Sequence, residues 1–64
     1  MIKLSKINGE REFIMNAELI ETVEETPDTV VTLTNGKKFI VEERMDEVVR
    51  KVMDYRRAIF RNLR

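Results

Sequence analysis

The sequence contains no cysteine, no histidine and no tryptophan, with a single proline and two glycines. Without cysteine, disulfide staples and thiolate metal sites are excluded. Without histidine, the usual general base at neutral pH and the commonest neutral metal ligand are both missing. The two glycines, Gly9 and Gly36, stand far apart, so neither Asn-Gly pair has the spacing of a phosphate-cradling loop. Adjacent carboxylates occur at Glu24-Glu25 and Glu42-Glu43, but neighbours on a strand point to opposite faces and make no acid/base pair. The expectation is a protein that is not an enzyme and uses neither a cofactor nor a metal. No apolar run approaches the roughly 18 residues of a membrane span. The opening "MIKLSKINGE" lacks the apolar core and small-residue cleavage site of a secretory signal. A cytoplasmic protein is expected, and the absence of cysteine fits that reducing compartment.

What the chain does have is charge, unevenly placed. The net charge is zero, yet residues 1–49 carry six Lys/Arg against eleven Asp/Glu, and residues 50–64 carry six Lys/Arg against one Asp. An acidic body of −5 is followed by a basic end of +5. Such polarity can steer a partner or dock one copy's tail on another's body, although cations near a helix C-terminus also simply match the helix dipole. The chain is 64 residues long, a size at which a domain buries only about 60% of its unfolded surface. With disulfides and metals excluded, self-association is the remaining source of robustness, so a homo-oligomer is expected.

Period and turn chemistry give the fold. Ile2–Ile7 and Arg11–Met15 read as strands joined at Asn8-Gly9, a strong hairpin signal because both turn residues tolerate positive φ. Asn16-Ala17-Glu18 interrupts with the character of a single helical turn, Asn16 being a plausible cap. Leu19–Thr26 reads as a strand, although Glu18–Glu25 can also be written as a short helix; Thr22, Val23 and the following proline favour the strand. Pro27-Asp28 is a turn, with Pro27 at the second position of type I. Thr29–Thr34 is β-branched at every position but Leu33. Asn35-Gly36 then closes a hairpin onto Lys37–Glu42. A two-residue loop there would set Leu33 opposite Lys38, whereas a type I turn with Gly36 in the left-handed region and a G1 bulge would set Leu33 opposite Phe39 and Val31 opposite Val41. The second arrangement makes the face of Val31, Leu33, Phe39 and Val41 wholly apolar, and burial selects it.

From Met45 the period becomes helical: Met45, Val48, Val49, Val52, Met53, Tyr55, Ile59, Phe60 and Leu63 recur on one wide stripe. Asp46 and Glu47 lie in the first turn and Arg56, Arg57 and Arg61 in the last turns, as the dipole prefers. The expected architecture is one α+β, mostly β domain over residues 1–64. Residues 1–43 form a small antiparallel sheet of four to five strands built from hairpins, and 44–64 a C-terminal amphipathic helix with a basic end. Phe60 and Leu63 project past so small a body, which with Arg56, Arg57 and Arg61 marks a surface for a partner. Nucleic acid is disfavoured as that partner, because the net charge is zero and no aromatic platform for stacked bases is visible on the strands. Peripheral contact between this end and a membrane surface stays open, though its polar and apolar residues are not cleanly separated.

The ordered pieces "MIKL", "NG" at Asn8-Gly9, "NAELIE" from Asn16, "TPDTVVTLTNGKK" from Thr26, "VEE" at Val41–Glu43 and "DEVV" at Asp46–Val49 resemble the small flagellar FlbD family, also called swarming motility protein SwrD. This family is distinct from a multi-domain transcriptional activator that shares the name. The resemblance covers nearly the whole chain. It implies a non-enzymatic accessory of bacterial flagella that supports motor power and swarming, acting with the motor's stator proteins at the inner face of the membrane. It also implies signature positions: Asn16, Glu18, Leu19, Glu21, Pro27, Asp28, Thr29, Gly36 and Lys37. Turn chemistry accounts for Pro27, Asp28 and Gly36, capping for Asn16, and a core place for Leu19 and Ile20. Glu18, Glu21 and Lys37 are left as charged candidates for an interaction surface, together with Arg56, Arg57, Phe60 and Arg61. In outline, five short strands and a C-terminal helix also resemble the carbon storage regulator family of RNA-binding dimers, whose RNA contacts lie near sheet edges. Lys3, Lys6 and Arg44 are the basic residues that would have to serve, and an RNA-binding regulator is the alternative reading.

Overall fold

The computed structural model describes residues 1–7 and 11–62. Strands β1 (Ile2–Ser5) and β2 (Glu12–Met15) are followed by a 3-10 turn (Ala17–Leu19), then β3 (Ile20–Glu25), β4 (Thr29–Leu33), β5 (Lys38–Val41) and helix α1 (Met45–Asn62). The α+β, mostly-strand architecture is as expected, except that the strands fall into two antiparallel sheets, β1-β2 and β3-β4-β5. The division arises because β1 changes partner. Ile2–Ser5 pairs with β2, and the chain then runs along the end of β5. There Lys6 bridges Val41, Ile7 N–H donates to the Ile40 carbonyl at 3.1 Å and Glu42 N–H to the Ser5 carbonyl at 2.8 Å. The Asn8-Gly9 turn lies outside the described residues, as does Leu63; the strands flanking the turn pair as a hairpin, Ile2 opposite Met15 and Ser5 opposite Glu12.

The second hairpin has the expected turn and a different pairing. Gly36 has φ +90°, its N–H donates to the Leu33 carbonyl at 2.9 Å, and Leu33 N–H donates to the Lys37 carbonyl at 2.8 Å. The type I pair is therefore Thr34-Asn35, with Gly36 as the left-handed bulge residue after it. This sets Leu33 opposite Lys37 and Val31 opposite Phe39, not Leu33 opposite Phe39. The shift moves the partners by two positions and so preserves the faces: Val31, Leu33 and Val41 are buried and Phe39 half-buried, while Lys38 pairs with Thr32 on the other face. The β3-β4 turn closes through Thr26 N–H to the Asp28 carbonyl at 3.2 Å, and its Thr26–Pro27 peptide is cis.

β3 is a strand, and it carries a bulge. Ile20 pairs with Leu33 but Thr22 with Thr32, so Glu21 is an extra residue. The bulge puts Ile20 and Val23, three positions apart, on the same core side. That helical spacing within a strand is why the segment can be read either way.

The core is small: Ile2, Leu4, Met15, Ala17, Val31, Leu33, Val41 and Val48, with Phe13, Ile20, Val23, Phe39, Val52 and Tyr55 packed around it. Phe13 and Phe39, from different sheets, sit with ring centroids 5.4 Å apart. Leu19, expected in the core, is instead 43% exposed, because it ends the 3-10 turn before the strand alternation begins. Helix α1 packs on β1 and β3 through Val48, which is fully buried, and through Val52 and Tyr55 one or two turns on. Each fully buried side chain of this size contributes about 1.5–3 kcal/mol.

Candidate functional site

The first turn of α1 is fixed from β3. An α-helix leaves its first backbone donors unpaired, and no Ser, Thr, Asp or Asn stands at Arg44 to cap this one. The carboxylate of Glu25 does so instead: its Oε1 accepts from Met45 N–H at 2.9 Å. Further along, Lys51 Nζ donates to the Lys3 carbonyl at 2.8 Å. Glu43, just before the helix, accepts from Ser5 N–H with both oxygens, at 3.0 and 3.1 Å. Partial burial pushes the Glu43 carboxyl up, but the backbone N–H groups of Ser5 and Glu43, the Ser5 side chain and the nearby Lys51 charge outweigh it and hold the carboxyl below its ordinary value. These bonds lock β1, β3 and the helix together. Sequence reasoning missed Glu25, a contact between residues twenty positions apart; the only signal was the uncapped start of α1.

At the other end of β3 the predicted site residues begin to converge. Asn16 caps the 3-10 turn, its Oδ1 accepting from Glu18 N–H at 3.0 Å. Thr34 N–H donates to the Leu19 carbonyl at 2.8 Å, which ties this turn to the β4-β5 hairpin turn. Glu18 thereby meets the far end of α1. Glu18, Arg56, Ile59 and Phe60 line one shallow depression of about 180 Å³. Since Glu25 holds the start of the helix and Glu18 lies by its end, α1 runs alongside β3 in the opposite direction. The depression has an apolar floor and one charge of each sign on its rim. Those charges form no ion pair among the described residues, so both are open to a partner.

The other predicted residues are separate from it. Lys37 lies on the β4-β5 turn at the same end of the sheet, its N–H held by Asn35 Oδ1 at 3.0 Å. Glu21 is the bulge residue of β3 and is exposed. Arg57 pairs with Asp54 at 3.5 Å on the exposed side of the helix. At about 100° per residue, Arg57 and Arg61 project roughly 100–140° around the helix from Arg56. The basic end is thus two patches, not one. Of the signature positions, Pro27 and Asp28 form a turn, Thr29 is buried, and Gly36 uses its freedom at positive φ.

Two wider depressions, of about 340 and 380 Å³, lie near Arg44–Arg50 and beside Lys51 and Tyr55, and contain none of the predicted site residues. Of the basic residues that an RNA surface would need, Lys3 lies 3.9 Å from Glu12 and Lys6 sits 5.9 Å above the Phe13 ring. Lys3 lies on β1, and Lys6 follows it where the chain bridges Val41 at the end of β5. Among the described residues, no cluster of three or more metal-ligating side chains occurs, and no helix is long and apolar enough to cross a membrane.

The family model FlbD, described as flagellar and swarming motility proteins, matches residues 1–60 of the chain. No curated protein and no solved structure matches it.

Proposed function

Because this chain belongs to the FlbD family of flagellar and swarming motility proteins, we propose that it supports the power of the flagellar motor as a non-enzymatic accessory. It acts by binding a protein of the stator at the inner face of the membrane. The family match over residues 1–60 carries the reading. The geometry supports binding rather than chemistry. The predicted charged residues stand on rigid elements around an apolar depression, and the resolved hydrogen bonds of Glu25, Glu43 and Lys51 are spent on holding the fold. The contact surface is the rim of Glu18, Arg56 and Phe60, extended toward Lys37 and Glu21 at the same end of β3. The neighbouring Arg57 and Arg61 supply the long-range attraction for an acidic partner.

The test is torque in a host lacking this gene, followed by tethered-cell rotation while filaments are counted. Normal filament number with weak rotation under load is expected, restored by the wild-type gene. Replacing Arg56, Arg57 and Arg61 together by Glu should leave the protein folded and fail to restore torque. Fewer filaments, or lowered flagellar messenger levels, would overturn the stator reading and bring RNA binding to the front. In that case binding would weaken steeply with salt as phosphate contacts release counterions.

A further inference from the structure

β3 is a terminal strand of its sheet. Thr26 N–H bonds the Asp28 carbonyl, so the hydrogen-bonded pairs of the ladder are Glu24 with Val30 and Thr22 with Thr32. Val23 and Glu25 belong to the pairs between them, and their N–H and C=O groups point away from β4. Among the described residues only the Glu25 carbonyl finds a partner there, the Thr26 hydroxyl. Val23 keeps an open donor and an open acceptor, and Glu25 an open donor.

This edge runs beside an uncovered flank of α1. Lys51 reaches β1, whereas Arg56 and Phe60 border Glu18, just before β3. Arg56 and Phe60 lie roughly 140–180° around the helix from Lys51, so β1 and β3 meet opposite sides of α1. Met45, Val49 and Met53 share the β3 side, within roughly 80° of one another. They are 40%, 48% and 50% exposed. The Glu25 bond to Met45 fixes one end of the alignment. The lengths agree, since the six residues of β3 cover roughly 20 Å and the helix from Met45 to Ile59 roughly 21 Å. β2 is also terminal, and its Ile14 is exposed, but α1 makes its main contacts with β1 and β3.

We propose that an extended segment of a partner protein adds to β3 as a further strand and lays alternate apolar side chains on Met45, Val49 and Met53. A row of open backbone donors and acceptors is matched by another extended backbone. The pleat then sets the segment's pattern. Side chains on the Val23 side face the helix flank and are apolar, and those between them stand beside Thr22 and Glu24 on the other face. Charge completes the selection. β3 carries three glutamates and no Lys or Arg, so Lys or Arg is favoured at the segment's outward positions. The same count disfavours the β3 of a second copy, since antiparallel pairing would set glutamate opposite glutamate. Met45, Val49 and Met53 lie outside the rim of Glu18, Arg56 and Phe60. The inference goes beyond the stator reading and stands whichever protein supplies the segment.

Titration of the isotope-labelled chain with an end-capped peptide of four Lys-Val repeats, followed by nuclear magnetic resonance, tests it. Saturable shifts should centre on β3 and residues 45–53. Amide exchange at Val23 and Glu25 should slow by about tenfold or more, because those donors gain partners. A peptide with the same residues in two blocks should bind far more weakly, and a fully N-methylated copy of the alternating peptide should not bind. Val49→Lys with Met53→Lys changes two exposed positions, should leave circular dichroism unchanged, and should weaken binding about tenfold or more, as both apolar contact and charge turn unfavourable. Absence of saturable binding would overturn the proposal, as would equal binding of the block or methylated peptide, or shifts centred on Arg56 and Phe60. Protection of Val23 and Glu25 that rises with concentration of the chain alone would overturn it too, since a second copy would then be the occupant.

Discussion

The two halves of α1 have the same amphipathic pattern and opposite surroundings. Its first half is held at every turn: Glu25 caps Met45, Val48 is fully buried, and Lys51 donates to the backbone of β1. In its second half, Tyr55 still packs against the core and Ile59 is half-buried, but Phe60 is 72% exposed and the ion pair of Arg57 with Asp54 stays within the helix. A helix that needed only to cover this core could end after about three turns. The rest is extended surface, apolar on one line and charged on the next. The comparison separates residues that hold the protein together from residues available to something else.

The sharpest break of that comparison is a matched pair of substitutions. Val48→Asp would bury an unpaired charge among Leu4, Val31 and Val41, all of which are almost wholly inaccessible. It should cost more than about 4 kcal/mol, a large part of the stability of a small domain, and leave no cooperative unfolding transition. Phe60→Asp introduces the same group three turns later on an exposed face and should change stability by less than about 0.5 kcal/mol. Urea denaturation followed by circular dichroism reads both. Similar losses from the two would mean that the far half of α1 is as much a part of the core as the near half.

Glu25→Ala comes next. It removes the acceptor for Met45 N–H and the favourable charge at the helix N-terminus, an effect of about 0.5–2 kcal/mol. Because Glu25 is exposed, a value near the lower end is expected, with fraying confined to the first turn. Amide exchange should speed up at residues 45–48 and not at 55–62. Uniform acceleration along α1 would show that the cap governs the whole helix.

How much of this was legible in the sequence depended on range. The turn at Asn35-Gly36 could be read because left-handed backbone needs glycine, and the faces of β4 and β5 because burial demands an apolar side. The pairing itself was two positions off, since Gly36 must follow the type I pair and so makes Thr34 part of the loop. The bulge at Glu21 disguised a strand as a helix by spacing Ile20 and Val23 three apart. The split into two sheets, and the Glu25 and Glu43 contacts, join residues 20 and 38 positions apart and leave no periodic trace. For the site, the meeting of Glu18, Arg56 and Phe60 was visible only as three separate charged or apolar candidates. Their convergence needed the direction of α1 along β3. The apparent basic patch was a property of sequence proximity that the helix divides.

The smallest effect tests the clamp on β1. The Glu43 carboxyl is held below its ordinary value of 4.5 by the Ser5 donors and Lys51, against its burial. A carboxyl whose folded value is lowered contributes stability fully above its unfolded value and loses it as pH falls through the folded one. Glu43→Gln removes the charge while keeping an acceptor for Ser5 N–H. The wild type should therefore be slightly the more stable at about pH 6, by less than the loss from Glu25→Ala, and the difference should close as pH is lowered below about 4. Urea midpoints of both proteins across that range measure it. A gap that persists unchanged in acid would mean that Glu43 acts through the shape of its hydrogen bonds to β1, with its charge and that of Lys51 contributing nothing to the anchored half of the helix.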